Sequence, residues 1–223
     1  MGVLVSWSGG KDAAYAYETL CQNGNDVQGL FVTIGEATQR VSMHGVRPAL
    51  IAAQAEALDV DLEIIPVPGD GTHAGYEQAM QAAFQRIEPK SIAYADLLLE
   101  DVKNFRAQLL APLDIDGCWP LWERDTAVLA REVIDQGVRA VIVAVDGSQL
   151  PPETLGTELS HGFLDALPPD IDPCGEHGEF HTFVVDGPSF DRHIGVRPGR
   201  RITRVHGDTP YHYLDLLPSP QDG

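Results

Sequence analysis

The residues with the clearest chemical potential follow a short apolar run near the start of the chain, at positions 8–12, which read SGGKD. Glycines allow the backbone to approach phosphate oxygens and to adopt a positive φ. N–H groups at the start of a helix point at a bound anion. Ser8 adds a hydroxyl donor and Lys11 a positive charge, while Asp12 is a candidate Mg²⁺ ligand or a residue that positions the loop. These residues predict a phosphate-binding loop, and the alternative is a plain glycine-rich turn.

The spacing around Gly9 and Gly10 does not match two widespread nucleotide-binding motifs. A Walker A loop requires glycine where Val5 stands and serine or threonine where Asp12 stands. The dinucleotide-binding pattern G-x-G-x-x-G does not fit this loop either. The sequence therefore predicts a phosphate loop of a different class.

A second polar segment, residues 172–183, reads DPCGEHGEFHTF and combines glycines, carboxylates and imidazoles at short spacing. Such a loop can present acids and bases to a cleft. We predict that residues 172–182 form the acceptor side of an active site, across a cleft from the phosphate loop. The predicted catalytic residues here are Glu176, Glu179 and His181, and the predicted substrate-binding residues are Gly175, Glu176 and Thr182.

Cys174, His177 and His181 in this segment also have a loose metal-ligand spacing. A metal site is disfavoured because only one thiolate is present and no fourth ligand is evident. Cys174 is either a nucleophile or a small packing residue, and we favour packing.

The elements that must position these residues alternate between strand and helix. Strands are predicted at residues 2–6, 27–34, 61–67, 91–94 and 140–145. A first helix is predicted from an apolar pattern at residues 13–20 that stops near residues 23–24, and further helices at 46–58, 72–86, 97–110 and 126–136. This alternation predicts an α/β fold with a doubly wound, parallel, five-stranded sheet. Ligands of such sheets lie at the carboxyl ends of the strands. Because prolines break the helical rhythm after Asp146, we predict a phosphate-binding domain at residues 1–146 and a smaller C-terminal α+β, acceptor-binding region at residues 147–223.

Further candidates follow the strands. Asp96 follows the fourth predicted strand at the ligand edge, and Glu100 and Asn104 share one helical face after it. That face is a candidate site for Mg²⁺ or ammonium, and an ordinary solvated acidic face is the equal alternative. His44 and Arg47, which follow the second strand, are candidates to face nucleotide or substrate.

The phosphate loop resembles the PP-loop of the adenine nucleotide α-hydrolase superfamily, which usually reads SGGxDS, with Ala13 in place of the final serine. With VSMHGV at residues 41–46 and the segment at 172–183, the chain resembles the diphthine–ammonia ligase family over nearly its whole length. Diphthine ligases tend to carry glutamate at the position of His181. The histidine found here is typical of a bacterial branch. In such a branch the acceptor would be another carboxylate.

The resemblance implies an ATP-dependent ligase: a substrate carboxylate is adenylated with release of pyrophosphate, and ammonia then displaces AMP. It implies ATP and Mg²⁺ as cofactors, with adenine near the end of the second strand and Lys11 neutralising charge on the departing pyrophosphate. The implied nucleotide-binding residues are Ser6, Ser8, Gly9, Gly10, Lys11, Asp12, Thr33, His44 and Asp96; Arg47, Glu100 and Asn104 are implied to bind substrate.

Charge and cysteine usage restrict the partners. The 223 residues include 33 acidic and 15 basic ones, for a formal net charge of −18. Such a surface repels phosphate backbones, so we expect no nucleic acid partner. Three cysteines without a CxxC motif favour a reducing compartment. With neither a signal peptide nor a membrane span evident, we expect a cytoplasmic protein.

Three alternatives stay open at this point. The chain could be a PP-loop enzyme that acts on another small-molecule acceptor, a tRNA-modifying enzyme or a non-enzymatic nucleotide sensor. The acidic charge and the missing CxxC disfavour tRNA modification. An arginine-rich stretch is a candidate site for an anion or a second subunit, as in a homo-oligomer, or else an exposed edge strand. Its residues are Arg192, His193, Arg197, Arg200, Arg201, Arg204 and His206.

Overall fold

A computed structural model describes residues 2–68 and 72–219. Residues 1, 69–71 and 220–223, which belong to the two predicted domains, lie outside the described residues. The strands are β1 (Gly2–Ser6), β2 (Asp26–Gly35), β3 (Arg40–Val41), β4 (Asp61–Val67), β5 (Ser91–Ala93), β6 (Asp116–Cys118), β7 (Arg139–Asp146), β8 (Phe180–Asp186), β9 (Val196–His206) and β10 (Thr209–Pro218). The α-helices are α1 (Lys11–Gln22), α2 (Pro48–Ala57), α3 (His73–Ile87), α4 (Glu100–Leu110), α5 (Thr126–Asp135) and α6 (His161–Asp165).

The first sheet is mostly parallel, which confirms the predicted α/β class. β1 lies between β2 and β5, β2 also pairs with β4, and β5 also pairs with β6, all in parallel. The two-residue β3 runs antiparallel to the end of β2. The chain therefore adds β2 and β4 on one side of β1, and later β5 and β6 on the other side. Such a reversal opens a crevice at the carboxyl ends of the central strands, where ligands of open α/β sheets bind.

Alternating side chains bury both faces of this sheet. On one face Phe31 of β2 packs edge-on against Phe84 of α3, with ring centroids 5.4 Å apart. On the other face Leu30 and Val32 join a core that includes α1 and the second sheet. Full burial of such side chains contributes about 1.5–3 kcal/mol each. Helices on both faces match the predicted doubly wound arrangement.

The second sheet is antiparallel, in the order β8-β7-β10-β9. It contains β7, which we had predicted as the fifth strand of the parallel sheet, and that assignment is wrong. The run AVIVAV is buried on both faces, and periodicity alone does not distinguish such a strand from a buried parallel one. The fifth parallel strand is the short β6, whose sequence DGC carries no strand pattern. The division of the chain at residue 146 stays a prediction, although it separates β7 from its sheet partners.

The arginine-rich stretch falls largely on β9, which ends this sheet and pairs with β10. The side chains of Arg197, Arg200, Arg201 and Arg204 are exposed. The structure thus agrees with the edge-strand alternative, and the side chain of His206 lies outside the described part of the chain. Among the described residues, no helix combines the length and the apolar character that a membrane span requires.

The two sheets are joined at the phosphate loop. The amide of Val184 in β8 donates to the carbonyl of Gly9 at 2.8 Å. Further along α1, the buried Glu18 carboxylate accepts from the Ser189 amide at 2.9 Å and from its hydroxyl at 2.8 Å. The C-terminal sheet therefore rests directly on the loop that we predicted to bind phosphate.

Candidate active site

A cleft of about 610 Å³ opens at the carboxyl ends of β1, β2 and β5. Its volume is in the range of small-molecule sites. One wall is the phosphate loop, and the opposite wall is the polar segment after residue 174. Nine predicted site residues line this main cleft: Ser6, Ser8, Asp12, Thr33, His44, Asp96, Gly175, Glu176 and His181.

The phosphate loop is held in place from behind. Gly9 has φ +80°, and a Cβ at this position would lie 2.6 Å from Cδ1 of Ile51, so only glycine fits here. The amide of Lys11 opens helix α1 and has no partner within the helix. It donates instead to Oγ1 of Thr182 at 2.9 Å. Thr182 therefore supports the loop, and its side chain is 2% exposed.

The Lys11 ammonium points away from the cleft. Its Nζ donates to Asp12 Oδ2 at 2.7 Å and to the carbonyl of Cys174, and the side chain is 2% exposed. Burial alone lowers the pKa of Lys11, but Asp12, Cys174 and Glu176 together outweigh it and the pKa is raised. In this arrangement Lys11 joins the two walls and holds Asp12 in place, and it does not line the cleft.

Gln54 is a structural residue that the sequence analysis missed. It is fully buried in α2. Its Oε1 accepts from Trp7 Nε1 at 2.9 Å, and its Nε2 donates to the carbonyls of Gly9 at 3.1 Å and Val184 at 2.6 Å. The amide thus ties the phosphate loop to both sheets. Nothing in the alanine-rich sequence around it distinguishes this glutamine from a surface residue.

His44 and His181 form a pair on the cleft wall, with ring centroids 4.6 Å apart. His44 Nδ1 lies 3.0 Å from the carbonyl of Thr182, so Nδ1 carries a proton and donates. Burial lowers the pKa of His44 to about 4 and lowers that of His181 well below its ordinary value. Nε2 of His181 is buried and has no hydrogen-bond partner among the described residues. Both rings are therefore neutral near pH 7, and His181 has a free position for a ligand in the cleft.

The two predicted catalytic glutamates are placed differently. Glu176 lines the cleft, and its Oε1 accepts from the amides of Leu97 at 2.9 Å and Leu98 at 3.0 Å. Burial raises the pKa of Glu176, and the two amides partly offset this. Glu179 is 2% exposed and does not line the cleft. Its oxygens accept from the amides of Asp172 at 3.1 Å and His177 at 2.9 Å, so it holds the shape of its own loop.

The structure agrees with a packing role for Cys174. Its side chain is 2% exposed and its thiol donates to the carbonyl of Thr126 at 3.3 Å. Burial raises the pKa of Cys174 to about 12, so the thiolate is scarce at neutral pH. No group of three or more metal-ligating side chains occurs in residues 2–68 and 72–219.

Four predicted substrate-binding residues lie away from the cleft lining: Thr182, which supports the loop from behind, and Arg47, Glu100 and Asn104. Arg47 precedes α2 and pairs with Asp215 of β10 through contacts of 2.9 and 2.6 Å. Glu100 and Asn104 are exposed on α4 and do not line the cleft. The structure agrees with the alternative that theirs is a solvated face.

The cleft is lined here by Val102 and Arg106 of α4 and by Leu99, which directly precedes the helix. Their spacing of three and four residues marks one helical face in the sequence, whereas the predicted residues Glu100 and Asn104 lie on the other face. Tyr76 and Tyr211 also line the cleft and were missed. No sequence signal identifies them, because α3 and β10 approach the cleft only through the tertiary fold.

Comparisons with known proteins cover nearly the whole chain. A family profile described as the diphthamide synthase N-terminal domain matches residues 1–109, and one described as the diphthamide synthase C-terminal domain matches residues 125–212. Together the two profiles match well over half of the chain.

The curated relatives include proteins named diphthine–ammonia ligase. The Danio rerio protein is 26% identical over 74% of this chain and 65% of its own length. The Bos taurus protein is 29% identical over 54% of this chain and 48% of its own length. The chain thus spans about half to two thirds of these two relatives. The Mus musculus protein is 24% identical over 97% of this chain and 91% of its own length.

Among solved structures, one described as a predicted subunit of tRNA methyltransferase from Methanocaldococcus jannaschii DSM aligns over 84% of this chain and 98% of its own. The sequence identity is 15% and the TM-score 0.45. The family assignment follows from the two profiles alone. The chain belongs to the diphthamide synthase family, to which its diphthine–ammonia ligase relatives point as well.

Proposed function

We propose that this protein is an ATP-dependent ligase that adenylates a carboxylate acceptor and joins ammonia to it. The observation that carries the proposal is the main cleft, in which the SGGKD loop faces the polar segment from residue 175 to 181. The name of the curated relatives supports the same chemistry, because it specifies ammonia and a ligation. A diphthine-bearing acceptor is the first candidate substrate, and another small-molecule carboxylate is the second.

In this proposal the polyphosphate of ATP lies at the start of α1, where Ser8 and Asp12 line the cleft. Adenine lies on the β2 side, near Thr33 and His44. The site suits Mg²⁺, since this ion is usually bound by one or two carboxylates together with substrate phosphates. Asp12 would hold it, and when bound it would neutralise phosphate charge. Mg²⁺ does not need all of its ligands from the protein, so a cleft with few ligating side chains is sufficient.

The chemistry requires two displacements. An oxygen of the acceptor carboxylate attacks the α-phosphorus and pyrophosphate leaves; ammonia then attacks the acyl carbon and AMP leaves. The attacking nitrogen must lose a proton. Glu176 is the better acceptor for that proton, because burial raises its pKa and so strengthens it as a base. His181 is too weakly basic, and we assign it a hydrogen bond to a ligand instead.

The test measures the products of ATP cleavage in the presence of ammonium and an ¹⁸O-labelled carboxylate acceptor. AMP and pyrophosphate in equal amounts, with ¹⁸O transferred to AMP, support the proposal. ADP and phosphate as the products would contradict it. The variant Glu176→Gln should retain ATP affinity but lose most amide formation, whereas Glu153→Gln, at an exposed position remote from the cleft lining, should behave like the parent protein.

A further inference from the structure

A basic surface lies where β9 and β10 meet the segment that follows β2. The chain as a whole is acidic, with a net charge of −18 and 15 basic residues. Four of the basic residues gather here around one carboxylate, that of Asp215: Arg40, Arg47, Arg200 and Arg204. One carboxylate neutralises about one arginine, so this basic surface keeps positive charge that a partner can use.

The four arginines are not equally committed to Asp215. Arg47 pairs with it through two hydrogen bonds, from Nε to Oδ1 at 2.9 Å and from Nη2 to Oδ2 at 2.6 Å. The hydrogen bond from Arg47 and the charges of Arg40 and Arg200 lower the pKa of Asp215, against the opposing effect of burial. Arg200 and Arg204 are exposed, so their guanidinium groups can reach carboxylates from outside.

A second, smaller pocket opens within the basic surface. Its volume is about 70 Å³, roughly that of two water molecules, which admits a carboxylate group but not a nucleotide. Among the described residues that line it, Asp215 is the one acid. The other lining residues are Thr38, Arg40, Gly45, Ile202, Arg204 and Tyr213.

One face of the β9–β10 hairpin connects this smaller pocket to the main cleft. Side chains alternate along a strand, so Tyr211 and Tyr213 share a face, and their ring centroids are 6.5 Å apart. Tyr211 lines the main cleft and Tyr213 lines the smaller pocket. Arg204 stands opposite Tyr211 and Ile202 opposite Tyr213 in the strand register. At about 3.4 Å per residue, the smaller pocket begins about 7 Å along β10 from the cleft wall.

We propose that the basic surface docks an acidic peptide segment of a protein acceptor, whose reacting carboxylate enters the main cleft. The proposal rests on the proposed function, because it takes the acceptor of that reaction to be a protein. An extended peptide also spans about 3.3 Å per residue. The acidic side chains are therefore expected about two to four residues away from the residue that is modified.

An acidic peptide suits this surface better than nucleic acid does. Nucleic acid carries a charge on every phosphate and would also meet the acidic remainder of the chain. A peptide needs only a few carboxylates, and arginine binds a carboxylate through two parallel hydrogen bonds. β9 also ends its sheet. Within the part of the chain that the structure describes, its outer edge has no strand partner and can pair with an extended peptide.

The test measures binding of a short fluorescein-labelled peptide, in which glutamate alternates with serine, by fluorescence anisotropy at low salt. The matched peptide carries glutamine in place of glutamate. We expect Arg200→Gln combined with Arg204→Gln to weaken binding of the glutamate peptide about 3- to 30-fold, as the loss of two exposed ion pairs implies. Binding of the glutamine peptide should not change.

The charge-matched control is Arg131→Gln combined with Arg139→Gln. These two exposed arginines pair with Asp165 and Glu158 and lie outside both pockets, so the net charge changes equally while the basic surface stays intact. The control should bind the glutamate peptide within about twofold of the parent protein, as expected for exposed charges remote from the contact. The urea midpoint of each variant verifies that it is folded.

Equal affinity of the parent protein for the glutamate and glutamine peptides overturns the docking surface. An equal loss in the two double variants does so too, because it would reflect net charge alone. Arginine-dependent binding of a single-stranded oligonucleotide that is tighter than binding of the glutamate peptide would assign the surface to nucleic acid and refute the proposal.

The product assay for the ligase reaction gives an independent result. If the peptide binds through Arg200 and Arg204 but ATP is cleaved to ADP and phosphate, the peptide site stands and the proposed ligase chemistry fails. If AMP and pyrophosphate are released but peptide binding does not depend on these arginines, the docking surface alone is refuted.

Discussion

Replacing Thr182 by valine removes one hydroxyl and keeps the shape of the side chain. In the structure this hydroxyl is the partner of the Lys11 amide, the first amide of α1. A buried amide left without a partner costs about 1–3 kcal/mol. For a protein of this size, the loss corresponds to a fall in Tm of about 2–12 °C. Urea unfolding should show the same loss as a lower midpoint with an unchanged slope.

Thr182→Ser is the matched control, because it keeps the hydroxyl and removes a methyl group. Its cost is expected at about 0.5–1.5 kcal/mol, similar to other single-methyl deletions in cores. Stability alone therefore separates the two variants poorly, and the deciding measurement is hydrogen exchange at the Lys11 amide. Relative to the amide of Leu20 in the same helix, exchange at Lys11 should accelerate about 5- to 150-fold in the valine variant, as 1–3 kcal/mol implies.

In the serine variant the protection at Lys11 should persist. If valine and serine give the same protection at this amide, the hydroxyl does not support the loop, and the reasoning from the hydrogen bond is refuted.

Four further predictions concern the same cleft. Lys11→Ala combined with Asp12→Ala should abolish ATP binding in calorimetry, and undiminished affinity would remove the phosphate loop from the proposed site. Because the pKa of His44 is lowered to about 4 on folding, the unfolded state takes up a proton first as the pH falls below about 6.5. Stability is then lost progressively between about pH 6.5 and 4, by up to about 3 kcal/mol. His44→Gln should show a shallower decline in urea titrations across that range, and an identical decline would contradict the assigned pKa. Glu179→Ala should lower the free energy of unfolding by about 1–3 kcal/mol, since two partly buried amides lose their acceptor; an unchanged unfolding midpoint would show that the carboxylate does not hold its loop. Bulk tRNA should bind weakly at low salt in a filter assay, and sub-micromolar binding would revive the tRNA-modifying alternative.

Most of the parallel sheet could be predicted from the sequence. Apolar residues alternate with polar ones in its strands and recur at helical spacing in its helices. The strand at residues 61–67 was predicted with the bounds that the structure has. The pairing partners of β7 were not predictable in the same way. An apolar run buried on both faces has the same pattern in either sheet, and only long-range pairing with β8 and β10 distinguishes them.

The site shows the same division between local and tertiary information. The phosphate loop and the polar segment could be predicted as functional, because glycines, carboxylates and imidazoles rarely occur at such short spacing. The direction in which a side chain points could not be predicted from the sequence. Lys11 and Glu179 are of residue types common in active sites, but both side chains face the protein interior. Arg106, by contrast, has no unusual neighbours in sequence and reaches the cleft through the packing of α4.

The hydrogen bonds between the phosphate loop and β8 have a consequence for the design of hybrid proteins. Exchanging the C-terminal half between two family members replaces the strand on which the recipient's loop rests. A junction after Asp146 would also leave β7 in the wrong parent, next to foreign β8 and β10. The junction belongs ahead of α5, in the segment 119–125, so that the whole antiparallel sheet moves as one piece. Even then, the donor strand must bring a hydroxyl at position 182 and a free amide at position 184. Substitutions in the loop and in β8 are accordingly expected to be tolerated in combination more readily than singly.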